Sequence, residues 1–155
     1  MIAAMKRREF VTLLGGAAAW PLAARAQQGE PVRRVGVLLS SSETDSEGQA
    51  RIGALRQGLQ ELGWSEGRNL KIDLRWTGGN DVRARAYAAE LAASQPDVIF
   101  AAPSAALASV QRVTRTIPIV FAQISDPVGA GFVTSLAHPG GNITGFALFE
   151  FAIGA

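Results

Sequence analysis

Four short apolar runs recur between residues 33 and 124, and each of the first three leads into a helix-length amphipathic stretch. "RRVGVLLS" at 33–40 is nearly continuous in apolar residues after its two arginines, the composition of a strand buried on both faces of a parallel sheet. "NLKIDLRWT" at 69–77 instead alternates Leu70, Ile72, Leu74 and Trp76 with Lys71, Asp73 and Arg75, so one face is wetter and the strand belongs at or near an edge. "DVIFAA" at 97–102 and "IPIVFAQI" at 117–124 return to the apolar type.

The stretches between them read as helices. Ser46 with Gln49, or Thr44 with Glu47, has the spacing of a capping box. Ile52, Leu55, Leu59 and Leu62 then form one stripe, and Gly63 stands where a left-handed residue ends the helix. Asp81 is placed to cap a second helix from Val82 to Ala93 that buries Tyr87, Ala88 and Leu91 before Pro96 stops it. Pro103 and Ser104 open a third, with Leu107 and Val110 inward.

Such alternation predicts right-handed βαβ units, hence an α/β fold with a parallel sheet flanked by helices. An edge-like second strand beside buried first, third and fourth strands suits the order 2-1-3-4, continued by a fifth strand. Ligands of these sheets bind beyond the carboxyl ends of the strands where the strand order reverses, here between the first and third. The loops to examine are therefore 40–45, 102–106 and 124–128.

Each loop has a ligand-binding reading and a plainer one. Loop 40–45 carries Ser40, Ser41, Ser42 and Asp45, a hydroxyl cluster or a solvated turn. Loop 102–106, "APSAA", presents Ser104 and the N–H groups of Ser104, Ala105 and Ala106 at a helix start, suited to a carboxylate or simply to capping. Loop 124–128, "ISDPV", runs into "GAGFVTSL", read as a further helix start with Asp126 as its cap and Ser125 or free N–H groups able to meet an anionic group.

No enzyme constellation accompanies these loops. His138 is the one histidine, and in "HPGGN" it reads as a turn residue rather than an acid or base. No GxGxxG follows the first strand, and "HPGGN" lacks the Lys-Ser/Thr ending of a phosphate loop, so nucleotide chemistry is not indicated. Glu43, Asp45 and Glu47 are close in sequence, but no His or Cys stands near them, and neither a metal nor a cofactor is expected. The chain has no Cys, which excludes disulfides, thiolate sites, a Cys nucleophile and lipid attachment to a cysteine.

The first residues carry a different message. In "KRREFVTLLGGAAAWPLAARAQQ" at 6–28, Lys6, Arg7 and Arg8 precede an apolar run from Phe10 to Ala24, and Ala24-x-Ala26 supplies the small residues of a cleavage site. The run holds Gly15, Gly16 and Pro21 and falls short of the roughly 20 residues a spanning helix needs. Arg7 and Arg8 followed by Glu9 and Phe10 point to a twin-arginine export signal over residues 1–26, served by the export machinery, with the general secretory route as the alternative and Met5 as a second possible start. Residues 27–32 read as a flexible lead-in. Four of the 15 basic residues and one of the 13 acids lie in residues 1–26, leaving 11 against 12, so the positive balance belongs to the signal. With no basic patch interleaved with aromatics, nucleic acid is not an expected partner.

The segments "RRVGVLLS", "ALRQGLQELGWSEGRNLKIDLRW", "AAELAASQPDVIFA" and "IPIVFAQISDPVGAGFVTSLAHPGGNITG" together resemble the periplasmic substrate-binding proteins of an ABC transporter family, which have a type 1 two-lobed fold. The resemblance spans residues 6–155, and "SDPVGAGFV" followed by "PGGNITG" is its most specific part. It implies that residues 33–142 form the N-terminal lobe and that 143–155 form a strand toward the crossover, cut off before a second lobe. Phe146, Leu148, Phe149 and Phe151 would pack near that crossover. By position, Ser41, Ser42, Ser104, Ala105, Ser125 and Asp126 would line the first-lobe side of a cleft. It further implies a soluble periplasmic receptor, not an enzyme, that takes up a small polar organic solute, an amino acid being one candidate, and hands it to an ABC permease of the inner membrane. An exported sensory domain or an exported enzyme on the same scaffold is the alternative, since fold does not fix function.

Overall fold

The computed structural model describes residues 31–148. Expectations resting on Arg7, Arg8, Ala24, Ala26, Phe149 and Phe151 lie outside the described residues. Five strands, β1 (Arg33–Leu39), β2 (Leu70–Trp76), β3 (Val98–Ala102), β4 (Ile119–Ile124) and β5 (Ile143–Ala147), form one sheet in the order β2-β1-β3-β4-β5. All four pairings are parallel. Three helices, α1 (Ser46–Glu61), α2 (Asp81–Ala93) and α3 (Ser104–Val113), follow β1, β2 and β3.

The near-continuous apolar character of β1 has its cause here, because the sheet is packed on both faces. One face presents Leu38, Ile99, Ile119 and Phe121 to Leu91 of α2 and to Leu107 and Val110 of α3. The other presents Val37, Leu39 and Leu70 to Ile52 of α1, with Leu55, Leu59, Trp64, Leu74 and Trp76 partly buried around them. Strand β2 has a neighbour on one side only, which matches its alternating sequence.

Helix starts differ from expectation in their capping residue. The α1 cap is Asp45, whose carboxylate accepts from the N–H groups of Glu47 at 3.2 Å and Gly48 at 3.3 Å, so neither capping box is used. Asn80, not Asp81, caps α2 by accepting from the Arg83 N–H at 2.9 Å. Asp81 falls in the first turn, where its charge meets the positive end of the helix dipole. At the other end of α1, Gly63 takes φ +90°, as a left-handed terminator should. Leu62, read as part of the inward stripe, is 78% exposed, because the helix is already turning away from the sheet at its C-cap.

A second correction concerns residues 127–142, where a Gly-rich helix was expected. The chain there makes turns only: the Asp126 carbonyl accepts from Ala130 N–H at 3.1 Å, Val128 from Gly131 at 2.9 Å, and Pro127 from Phe132 at 2.9 Å. Gly131 takes φ +74°, which leaves the right-handed helical region after a single turn.

The amino ends of the strands are clamped by charge. Asp97 accepts from the Arg34 N–H and from the Arg33 guanidinium, both at 2.8 Å, while Arg34 reaches the Ser94 carbonyl at 2.8 Å and Asp73 at 3.1 Å. The Arg34 backbone N–H, then the Arg33 side chain, hold the Asp97 carboxyl below its ordinary pKa.

Candidate functional site

The opposite, carboxyl edge gathers the three loops singled out in the sequence. Strands β1, β3 and β4 are consecutive neighbours, so the segments after Leu39, Ala102 and Ile124 emerge side by side. Ser40 N–H bonds the Ala102 carbonyl at 3.1 Å, which ties the first loop to the second. Strand β1 is also where the order reverses, with β2 on one side and β3 on the other.

In the first loop, Ser42 is exposed and shares a hydrogen bond with the Thr44 hydroxyl at 3.2 Å, whereas Ser41 is half-buried. The Ser41 carbonyl accepts from Gly78 N–H at 3.1 Å and the Ser40 carbonyl from Gly79 N–H at 2.7 Å, so the loop after β2 braces the loop after β1. Gly48 makes this close fit possible, since a Cβ there would stand 2.5 Å from Ser41 Oγ and 2.9 Å from the Trp76 ring.

The second loop turns sharply through a cis Ala102–Pro103 peptide into α3. The Pro103 carbonyl accepts from Ala106 and Leu107 at 3.1 and 3.2 Å, and no side chain caps the helix. The N–H groups of Ser104 and Ala105 precede these bonds, and both residues are exposed. They are the orphan donors of a helix N-terminus, which favours negative charge.

In the third loop Ser125 and Asp126 are exposed, and one Asp126 carboxylate oxygen accepts from the Gly129 N–H at 2.7 Å. Asp126 therefore holds a turn, where the sequence suggested a helix cap. A Cβ at Gly129 would meet the Asp126 carboxylate, so a larger residue there would displace that side chain from its bond.

His138 lies in an exposed turn outside this edge, its N–H donated to the Ser135 hydroxyl at 2.9 Å and its carbonyl accepting from the Thr134 hydroxyl at 2.6 Å. Among the described residues, no group of three or more His, Cys, Asp or Glu is placed to hold a metal ion. Among them, too, no helix is long and apolar enough to cross a membrane.

One residue at this edge was missed. Gln123, read as part of a fully apolar strand, takes φ 63° where the β4–β5 register shifts between Phe121 and Ile124. It lines an apolar cavity of about 300 Å³ with Leu39, Ile52, Phe100 and Ala122. Strand bulges and left-handed non-glycine residues concentrate next to binding sites, where they re-aim the chain. The signal available in the sequence was a lone amide in an otherwise apolar run, two residues before Ser125.

A parallel five-stranded sheet covered by helices on both faces is the fold of the type 1 periplasmic binding proteins. The chain belongs to the ABC transporter substrate binding protein family, whose sequence pattern it matches over residues 34–150. A curated relative, the "Tyrosine-binding protein" of Clostridioides difficile, is 32% identical over 87 residues, covering 56% of this chain and 25% of that protein. The ligand-free, open structure of a substrate binding protein with adhesive properties from Clostridium difficile superposes with a TM-score of 0.72 at 26% identity, over 78% of this chain and 40% of that one. An ABC domain from Streptococcus pneumonia in complex with L-Trp gives 0.67 at 29% identity, over 75% and 38%. The chain thus spans a quarter of the length of that curated relative and about two-fifths of those solved structures.

Proposed function

We propose that this chain forms the first lobe of an exported receptor that binds a small amino-acid-like solute between two lobes and delivers it to an ABC permease. The observation that carries this reading is the alignment of three ligand-competent loops on the carboxyl edge of β1, β3 and β4. The orphan N–H groups of Ser104 and Ala105 suit a carboxylate, and the Asp126 carboxylate, with one oxygen bonded to Gly129, suits an ammonium group. Ser41, Ser42 and Ser125 supply neutral hydrogen bonds between these poles. Two of the relatives described above carry a ligand in their names, tyrosine and L-Trp, molecules with both poles. Export through Arg7, Arg8 and the Ala24-x-Ala26 site would place the receptor in the periplasm, facing the permease.

Isothermal titration with L-tyrosine, L-tryptophan and L-leucine, using the protein with its whole chain, tests the reading. Asp126→Ala is expected to weaken binding about tenfold, the value of one charge-assisted hydrogen bond, while His138→Ala leaves it unchanged. Equal and negligible effects of the two substitutions would reduce Asp126 to a turn residue and remove the proposed site.

A further inference from the structure

We propose a second small-molecule site along the free edge of β2, which meets the cleft only at the 40–45 loop. A hollow of about 480 Å³ opens there, within the range of about 300–1,000 Å³ typical of ligand pockets. Its apolar wall comes from Trp76 at the end of the strand and Tyr87 of α2, and its polar groups are Ser42, Glu43 and Arg83. Of the six cleft residues Ser42 alone reaches its lining; Ser41, Ser104, Ala105, Ser125 and Asp126 form no part of it.

The charges in this hollow differ in their commitments. Arg75 is engaged, paired with Glu90 at 3.4 Å and lying over the Tyr87 ring at 5.9 Å. Arg83 is not: among the described residues its guanidinium has no hydrogen-bond or ion-pair partner, and only its backbone N–H is used, on Asn80. The Glu43 carboxylate is likewise unpaired, its backbone carbonyl alone accepting from the Gln49 side chain at 2.6 Å. An uncommitted cation and an uncommitted anion, in a hollow walled by two aromatic rings, complement a small zwitterion with an aromatic body. The guanidinium presents paired donors to a carboxylate, Glu43 accepts from an ammonium group, and the rings take the apolar part. Arg75, fixed on Tyr87 by Glu90, holds that wall in place.

The test uses the 155-residue chain with 5-fluorotryptophan at its 3 tryptophans, the Trp76 resonance being assigned by Trp76→Phe. L-phenylalanine, phenylacetate and phenethylamine are titrated separately while the ¹⁹F spectrum is recorded. The site predicts a saturable shift of the Trp76 signal with L-phenylalanine and weaker responses to the two single-charge analogues. Arg83→Gln and Glu43→Gln, both exposed substitutions that spare the core, should each weaken the L-phenylalanine response about tenfold. Asp126→Ala should leave it unchanged. An unmoved Trp76 signal, equal responses to all three probes, or full response in both charge variants would overturn the site. Loss of the response in Asp126→Ala would overturn it too, by assigning the shift to the cleft.

Discussion

Asp97 sits where β1 and β3 begin, outside the hydrophobic core, yet three strands depend on the charges around it. Its carboxylate accepts from the Arg34 backbone and the Arg33 side chain, and these bonds lower its pKa. A lowered folded-state pKa contributes stability above the ordinary carboxylate range, and that stability is lost as pH falls through the folded value. Asp97→Asn should therefore melt below the wild type at neutral pH, and the gap should close as the solution is acidified below the ordinary Asp range. Thermal melts of the two proteins across that range check this; a gap that persists in acid would show the bonds to be indifferent to charge. Gly145 is a second single-residue dependency. A Cβ there would run into the Phe121 carbonyl and approach the Phe121 ring at 2.6 Å, so Gly145→Ala must force β4 and β5 apart. A loss of about 1–3 kcal/mol, the usual cost of overpacking, is expected in denaturant unfolding.

The elements themselves were legible in the sequence where burial and periodicity agreed. Strand β1 has both faces in the core, so its apolar run was unambiguous, and β2 has a free edge, so its alternation was equally plain. Helix α3 followed from Leu107 and Val110, both fully buried, and Leu107→Ala should cost about 2–5 kcal/mol in the same unfolding measurement. Legibility failed where a side chain and the backbone compete locally. Asp45 and Asn80 cap helices that Thr44, Ser46 or Asp81 could have capped, because one polar residue is as good as its neighbour until the backbone dihedrals are fixed. The segment after Asp126 looked like a helix start since Asp-Pro often is one, but Gly129 and Gly131 let the chain leave after one turn. The left-handed Gln123 gave almost no signal, as a strand residue with positive φ is set by the β4–β5 pairing rather than by its own preference. The candidate site was legible at the level of loops, which follow from topology, and not at the level of which donor points where.

At the scale of the whole molecule, the β5 side exposes apolar surface, with Phe146 of the strand 75% and Leu148 just after it 53% accessible. Exposed neighbouring apolar side chains of this size promote association. The 155-residue chain is expected to self-associate as its concentration rises, and Phe146→Ser to reduce this, in light scattering after gel filtration. Binding to this chain should also be weak on the proposed two-lobe reading, in which one lobe covers less than the roughly 70–90% of a ligand that a closed pocket buries. Weak binding is still local, and its location is the central claim. Amide NMR of the ¹⁵N-labelled chain, titrated in turn with L-tyrosine, L-tryptophan and L-leucine, reads that location directly. The account predicts that at least one of the three shifts the amides of Ser41, Ser42, Ser104, Ala105, Ser125 and Asp126 together, ahead of the rest of the chain. Shifts confined to other surfaces, or none at those six positions with any of the three, would contradict it.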